Sequence, residues 1–264
     1  MFLIILLGLI IGSFLNVCIY RISREESIAF PQSHCTRCGY SLKPMDLIPV
    51  FSYIFLLGKC RSCKEKISIR YPLVEILNAS LYLLIYLKYG FTLDFFKFCL
   101  FVSLLIVIGF IDFETKYVYN STVIFGVVSG ILFDVLIWIE TKTIPWDYIV
   151  GAFIGFGVIY LIVVLTHGMG EGDIDIALIC GLFLGIKGIV VTLFMAIILG
   201  GIVAGLILVF KLKGRKDEIA FGPYLAIGGI ISCLYGSLLL EMYSKFFLWK
   251  FNLMIKQIIF AKEK

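Results

Sequence analysis

Charged residues are scarce in this chain. Only 16% of its 264 residues are Asp, Glu, Lys or Arg, whereas soluble globular domains carry about a quarter. Hydrophobic residues make up 61% of the chain, and the mean hydropathy is +1.05. The composition leaves too little water-compatible surface for a soluble domain, and several apolar runs reach the roughly 20 residues that a helix needs to cross a bilayer. It therefore predicts an all-α polytopic membrane protein.

The first apolar run lacks two features of a cleaved secretory signal peptide. It has no basic leading region and no A-x-A-like exit. We therefore expect residues 1–20 to remain as the first transmembrane helix.

The apolar runs predict about eight transmembrane helices, of which the sixth is short. They lie near residues 2–20, 72–90, 95–111, 122–139, 148–165, 174–187, 189–210 and 223–240. The corresponding organisation is a first helix over 1–20, a polar insert over 21–71, a membrane domain over 72–240 and a basic amphipathic tail over 241–264. We expect the tail to lie on the membrane surface.

Basic residues are concentrated in two segments. The insert carries Arg21, Arg24, Lys43, Lys59, Arg61, Lys64, Lys66 and Arg70, and the loop near 211–218 adds Lys211, Lys213, Arg215 and Lys216. Lys and Arg favour cytoplasmic loops, so both segments are expected inside and the N-terminus outside. The opposite loops are expected to hold only scattered lysines, which are Lys88, Lys97, Lys142 and Lys187.

Acidic residues follow the third and fifth predicted helices, in "GFIDFETKYVYN" and "THGMGEGDIDIALICG". The predicted orientation places Asp112 and Asp173 at the same membrane face. Two carboxylates brought close share a proton, which is the arrangement of an aspartic protease. The glycines beside Asp173 permit sharp backbone geometry and close approach of a substrate strand.

The alternative interpretation is that these acids mark helix ends and face headgroups and water. Glu114, Glu171 and Asp175 are interpreted as solvated residues of the same loops. Asp134, within the fourth predicted helix, would pair with a polar group of the bundle or reach the outer interface, and no role is assigned to it.

Four of the eight cysteines form two C-x-x-C pairs in the polar insert. Cys35 and Cys38 are separated from Cys60 and Cys63 by 21 residues, a spacing typical of a structural zinc site. Two disulfides are the alternative, and a reducing cytoplasm favours zinc. The remaining cysteines are interpreted as small core residues of the membrane helices, and they are Cys18, Cys99, Cys180 and Cys233.

These motifs together resemble the type IV prepilin peptidases, bacterial GxGD-type aspartic proteases of the inner membrane. The likeness covers "GLIIGSFLNVCIYRI", "CTRCGYSLKPMDLIPVFSYIFLLGKCRSC", "KISIRYPLVEIL", "IDFETKYVYN" and "GMGEGD". The last of these contains the GxGD signature at 170–173. The resemblance implies that Asp112 and Asp173 are the two catalytic acids and that Cys35, Cys38, Cys60 and Cys63 hold zinc.

The resemblance implies two activities at the cytoplasmic membrane face. The first removes the leader from type IV prepilin or pseudopilin substrates. The second methylates the new N-terminal residue with S-adenosylmethionine and is associated with the cysteine-bearing region. No Gly-rich nucleotide fingerprint marks a methyl-donor site. Gly12, Ser13, Asn16 and Glu75 fall in family-like motifs there, and packing or capping roles explain them equally well. No nucleic-acid partner is expected.

The chain departs from the family pattern at two positions. Relatives often have Lys where this chain has Asp175, and often have Asp where it has Asn120. Neither position is one of the two acids, so the interpretation as a protease stands.

Three other functions would share some of these features. A proton- or cation-coupled transporter would be expected to carry acids near the membrane midplane and related broken helices in two halves. A zinc-bearing scaffold of a secretion apparatus would not need two acids on one face. A signal-peptide or preflagellin peptidase would share the acids but not the cysteine insert.

Overall fold

A computed structural model describes residues 1–166, 168–210 and 220–262, with side chains up to 245 except at 208. The helices are α1 (Phe2–Ile22), α2 (Phe51–Phe55), α3 (Arg70–Tyr89), α4 (Leu93–Thr115), α5 (Asn120–Thr141), α6 (Trp146–Thr166), α7 (Glu171–Val209) and α8 (Gly222–Lys262). Within these residues there is no strand beyond two isolated β-bridges in the insert. The basic loop near 211–218 and the side chains of most of the tail lie outside the described residues.

The predicted all-α membrane fold is confirmed. Six helices of the described chain are long and apolar enough to cross a membrane, namely α1, α4, α5, α6, α7 and the first part of α8. α3 is more polar, because it carries the buried residues Glu75 and Asn78. The polar insert lies between α1 and α3, as the sequence predicts.

α7 consists of two helical segments that meet at Gly185. This glycine has φ 71° and ψ −174°, a conformation that side chains disfavour, and it interrupts the helix. Cys180 lies against Gly229 before the interruption, whereas Gly188 lies against Ser232 and Gly200 against Phe221 after it. Because Ile176 also lies against Gly222, the first half of α7 runs parallel to α8, and the second half runs antiparallel. The chain reverses at Gly185, close to the boundary predicted between the sixth and seventh helices.

Small residues set the closest helix contacts of the bundle. A Cβ on Gly8 of α1 would lie 2.6 Å from the Cα of Ala79 in α3. A Cβ on Gly12 would lie 2.7 Å from the Cα of Glu75, one turn further along the same contact. Such close backbone approach is typical of membrane helices, where van der Waals packing drives association.

α3 spans the bundle from one side to the other despite its polarity. At its start, Arg70 donates to Glu114 near the end of α4 at 2.6 Å. At its end, the Lys88 Nζ donates to the Cys233 carbonyl of α8 at 2.9 Å. We call the first of these sides, where α4 ends and α7 begins, the carboxylate side.

Lys97 and Asp134 form an ion pair inside the bundle, on the side opposite the carboxylate side. The prediction that Lys97 belongs to a loop is wrong, because its side chain is fully buried in α4. Its Nζ lies 3.3 Å from the Asp134 Oδ1 in α5 and 3.3 Å from the ring centre of Tyr148 in α6. An aspartate and an aromatic face together compensate the buried ammonium. Asp134 thus pairs within the bundle rather than reaching the outer interface.

Breaking this ion pair from one side should destabilise the fold. Lys97→Met leaves the Asp134 carboxylate buried without its counter-charge, a change that costs about 3–5 kcal/mol. We expect a lower midpoint of thermal unfolding in detergent, and recovery of much of the loss in the Lys97→Met/Asp134→Leu double variant. Lys142→Met, at an exposed helix end, is the control. An unchanged midpoint for Lys97→Met would contradict the structural role.

Candidate functional site

Asp112 lies in the last turn of α4, on the carboxylate side. α4 ends at a left-handed residue, Lys116 (φ 57°), whose N–H donates to the Asp112 carbonyl at 2.8 Å. The Asp112 side chain is buried, with the residue 6% exposed. Its Oδ2 has no hydrogen-bond partner among the described residues. A buried carboxylate oxygen without a partner is energetically costly, and a catalytic role is one explanation for it.

Asp173 lies in the first turn of α7, at the end of the GxGD segment. The Gly170 N–H donates to the Asp173 Oδ2 at 3.1 Å, and the Asp173 N–H donates back to the Gly170 carbonyl at 3.1 Å. This reciprocal turn holds the carboxyl inward, with the residue 4% exposed. A Cβ on Gly172 would lie 2.6 Å from the Val118 side chain, so the loop after α4 packs directly on this glycine.

The start of α8 lies against both acid-bearing helices. A Cβ on Gly222 would lie 2.5 Å from the Asp112 Oδ2 and 2.8 Å from Ile176, which is one turn beyond Asp173. The two carboxyl groups are close enough for their charges to repel each other. In a buried site, two such acids cannot both ionise cheaply and instead share one proton. The pair is thereby suited to act as one acid and one base.

The other acids near Asp112 and Asp173 differ from one another in their exposure to solvent. Glu114 is exposed, as interpreted from the sequence, and it also forms an ion pair with Arg70 at 2.6 Å. Glu171 is exposed, and Asp175 is half-buried. Only Asp112 and Asp173 of this group are buried.

The insert folds as two matching turns around the cysteines. In the first, the Cys35 N–H donates to the Tyr40 carbonyl at 2.9 Å, and Gly39 (φ 70°) closes the turn. In the second, the Cys60 N–H donates to the Glu65 carbonyl at 2.8 Å, and Lys64 (φ 60°) takes the place of the glycine. The two C-x-x-C motifs thus adopt the same local geometry.

The two turns face each other and gather the four thiols of the cluster Cys35, Cys38, Cys60 and Cys63. All four sulfur atoms lie within 4.8 Å of one another, and the Cys35 and Cys63 sulfurs are 3.9 Å apart. Tetrahedral zinc with bonds of about 2.3 Å would set its sulfur ligands about 3.8 Å apart. The cluster is therefore compatible with structural zinc. All eight cysteines are free thiols, so the structure gives no support to the alternative of two disulfides in the insert.

Asp46 joins the two turns and was not identified from the sequence. Arg61 of the second turn donates to its Oδ1 at 2.6 Å, and the Lys43 N–H donates to its Oδ2 at 3.1 Å. Burial by itself would raise the pKa of the Asp46 carboxyl, but the hydrogen bond and charge of Arg61 outweigh it and hold that pKa below its usual range. The "PMD" turn gives no sequence signal for this role, because the partner lies 15 residues away.

Two protein-family models match the chain in succession. The Bacterial Peptidase A24 N-terminal domain matches residues 6–89, and the Type IV leader peptidase family matches residues 99–206. The first covers α1, the cysteine insert and α3, and the second covers both buried acids. No solved structure matches the chain.

Curated relatives match over most of their length. A protein of Bacillus subtilis (strain 168) is 31% identical, with 90% of this chain and 95% of the relative covered. A protein of Neisseria gonorrhoeae is 32% identical, with 85% and 87% covered, and one of Pseudomonas putida is 31% identical, with 87% and 88% covered. Each is named prepilin leader peptidase/N-methyltransferase.

Proposed function

Because the chain belongs to the type IV leader peptidase family, we propose that it is an aspartic endopeptidase that removes the leader from type IV prepilin-like proteins. We further propose that it methylates the N-terminal residue so exposed, with S-adenosylmethionine as the methyl donor. The observation that carries the proteolytic part is the juxtaposition of two buried carboxyl groups, Asp112 and Asp173, at one end of the bundle. The relatives' names supply the two activities.

Peptide hydrolysis at this pair needs one ionised and one protonated carboxyl group. The ionised acid takes a proton from water, which attacks the scissile carbonyl carbon, and the protonated partner donates to the carbonyl oxygen. The unpartnered Asp112 Oδ2 is available to water or to the carbonyl oxygen. The Asp173 Oδ2 is held by the Gly170 N–H, which orients that carboxyl for its role.

The substrate and the location follow from the membrane arrangement. A prepilin carries a short basic leader before a hydrophobic stem, so its cleavage site lies at a membrane face. We propose that the carboxylate side faces the cytoplasm of a bacterial inner membrane. The basic residues of the insert support this orientation, because Lys and Arg favour cytoplasmic loops.

The two family matches suggest that different segments of the chain serve the two activities. We propose that residues 21–71 form a zinc-binding unit held by Cys35, Cys38, Cys60 and Cys63, and that it serves the methylation step. Residues 72–240 form the membrane protease unit. Zinc would be structural here, because four thiolates close its coordination and leave no position for a reacting group.

A single reaction tests both activities. The purified full chain in lipid nanodiscs is incubated with a prepilin, with and without S-adenosylmethionine, and the intact mass of the pilin product is measured. We expect loss of the leader in both reactions, and the added mass of one methyl group only with the donor. An uncut prepilin in both reactions would overturn the proposed protease.

Gly222 should be needed for leader removal although it carries no reactive group. In Gly222→Ala, the new methyl would meet the Asp112 carboxyl at 2.5 Å and force it aside. Misplacing a reacting group by about 1 Å can lower a rate about 10²-fold, and we expect a loss of this order in the prepilin cleavage rate. Gly201→Ala, where a Cβ meets nothing within 4 Å, is the matched control. Equal rates for the two variants would contradict the proposed crowding.

A further inference from the structure

A cavity of about 480 Å³ lies between the cysteine insert and the ends of α1 and α3 on the carboxylate side. This volume is in the usual range of about 300–1,000 Å³ for small-molecule and cofactor sites. Its lining includes Asn16 of α1, Tyr53 of the insert, Tyr71 and Glu75 of α3, and Glu114 of α4. Glu114 follows Asp112 by two residues on α4, but neither Asp112 nor Asp173 lines the cavity.

Six charged side chains of this cavity neutralise each other in pairs, and the lining also contains Arg21, Arg24 and Lys66, none of which forms an ion pair with Glu75. Three ion pairs line it, each at 2.6 Å, and they are Arg37 with Glu65, Arg61 with Asp46, and Arg70 with Glu114. Glu75 is different. It is 6% exposed and accepts the Val50 N–H at 2.7 Å, and no cation pairs with it among the described residues. A buried carboxylate in this position favours a ligand that brings a positive charge.

Two further polar atoms of the cavity wall lack partners. Asn16 is 1% exposed, and its Nδ2 donates to the Tyr71 carbonyl at 3.0 Å, but its Oδ1 has no partner among the described residues. The Arg70 Nε is likewise buried and unpaired within the described chain. The same cavity wall therefore offers one free acceptor, one free donor and an acid without a counter-charge. A ligand with a positive charge, a negative charge and hydroxyl groups would satisfy the Glu75 carboxylate, the Asn16 Oδ1 and the Arg70 Nε.

The aromatic rings of the cavity suit the remaining part of such a ligand. Tyr53 and Tyr71 line it from the insert and from α3. Aromatic faces stack on planar bases and attract organic cations. S-adenosylmethionine combines a sulfonium cation, an ammonium, a carboxylate, two ribose hydroxyls and an adenine ring. The residues present fit this molecule.

We infer that this cavity is the methyl-donor site, in which the Glu75 carboxylate balances the sulfonium charge of S-adenosylmethionine. The inference rests on the proposed function for the need of a methyl donor. Asn16 and Arg70 bind the polar ends of the donor, and the tyrosines contact its ring. Glu75 is thus a binding residue for the sulfonium rather than a cap of the Val50 N–H alone.

The transfer step is balanced without a further reactant. The lone pair of the neutral α-amine of the cleaved pilin attacks the methyl carbon, and the carbon–sulfur bond breaks. Sulfur keeps the bonding pair and leaves as the neutral thioether S-adenosylhomocysteine. The secondary ammonium so formed releases one proton to water. Because the positive charge leaves sulfur in this step, Glu75 favours binding of the donor over the spent product.

Glu75→Gln tests this charge role with little change of shape. The amide oxygen can still accept the Val50 N–H, whereas the negative charge is gone. Binding of S-adenosylmethionine and of S-adenosylhomocysteine to the purified full chain in nanodiscs is measured by calorimetry. We expect the variant to bind S-adenosylmethionine about tenfold more weakly, with a much smaller change for S-adenosylhomocysteine. Glu26→Gln, on the exposed rim of the cavity, should bind both as the wild type does.

The outcomes separate this inference from the proposed protease. Equal weakening of both ligands, unchanged binding of both, or a wild-type chain that binds neither would overturn the donor site. Leader removal from prepilin, measured without any donor, is independent of these results. A chain that cleaves prepilin but binds no donor therefore refutes the site alone. A chain that binds the donor through Glu75 but leaves prepilin uncut refutes the protease alone.

Discussion

Asp112→Asn and Asp173→Asn should each lower the rate of leader removal by about 10²–10⁴-fold, the usual contribution of a positioned acid or base. Each asparagine keeps the shape of the carboxyl group but can neither take a proton from water nor share one with its partner. The rate is measured with purified variants in nanodiscs, from the intact mass of the prepilin over time. Because the two acids act as one unit, the double variant should lose little more activity than either single variant.

Glu171→Gln is the matched control for this prediction. Glu171 lies in the same GxGD segment but is exposed, and its loss of charge should leave the cleavage rate close to that of the wild type. Membrane insertion and the unfolding midpoint of all variants are compared to exclude misfolding. Near-normal processing by a correctly inserted Asp112→Asn or Asp173→Asn would refute the assignment of the acid pair.

Cys60→Ser should release most of the zinc from the purified protein and unfold the insert. Structural zinc contributes about 10–16 kcal/mol of binding free energy in small metal-dependent units. Cys60 is the buried thiol of the four-cysteine cluster, and the insert around it has only short helices and few buried residues. Without the metal, we do not expect the ion pairs of Asp46 and Glu65 to hold the two turns together, because the Arg37–Glu65 pair is exposed and such pairs contribute about 0–1 kcal/mol, and the Arg61 side chain of the other pair is also exposed.

Metal content is measured by mass spectrometry of the purified chain, and unfolding of the insert by limited proteolysis between α1 and α3. Cys99→Ser is the control, since Cys99 is also a buried free thiol but lies in α4. It should retain zinc and a protease-resistant insert. A metal-free Cys60→Ser protein with an intact, resistant insert would show that zinc does not support this fold.

The membrane helices and the candidate residues were accessible to sequence reasoning for a physical reason. Crossing a hydrocarbon core requires long apolar runs, and a charge beside such a run is costly enough to stand out. These two signals and the count of predicted helices made Asp112 and Asp173 candidates, and the resemblance of their motifs to the type IV prepilin peptidases implied their role. The cysteines follow from a spacing that recurs in zinc sites. The reversal within α7 at Gly185 is likewise indicated by the short sixth apolar run of the sequence, near residues 174–187.

Other features depend on contacts between residues far apart in the chain. Lys97 is predicted to lie in a loop because it is charged. Only its approach to Asp134, 37 positions away, explains its burial. Glu75 becomes a candidate ligand residue because the insert folds over it without supplying a cation. Gly222 matters because the start of α8 happens to lie against Asp112. None of these partners is specified by local sequence.

The sequence by itself determined the class of protein, the apolar helices and the candidate residues for proteolysis and metal binding, because hydropathy, charge and short motifs are local properties. Only the tertiary structure decided which charges are neutralised and which remain free. That outcome depends on distances of a few ångströms between helices, which the packing of the whole bundle sets.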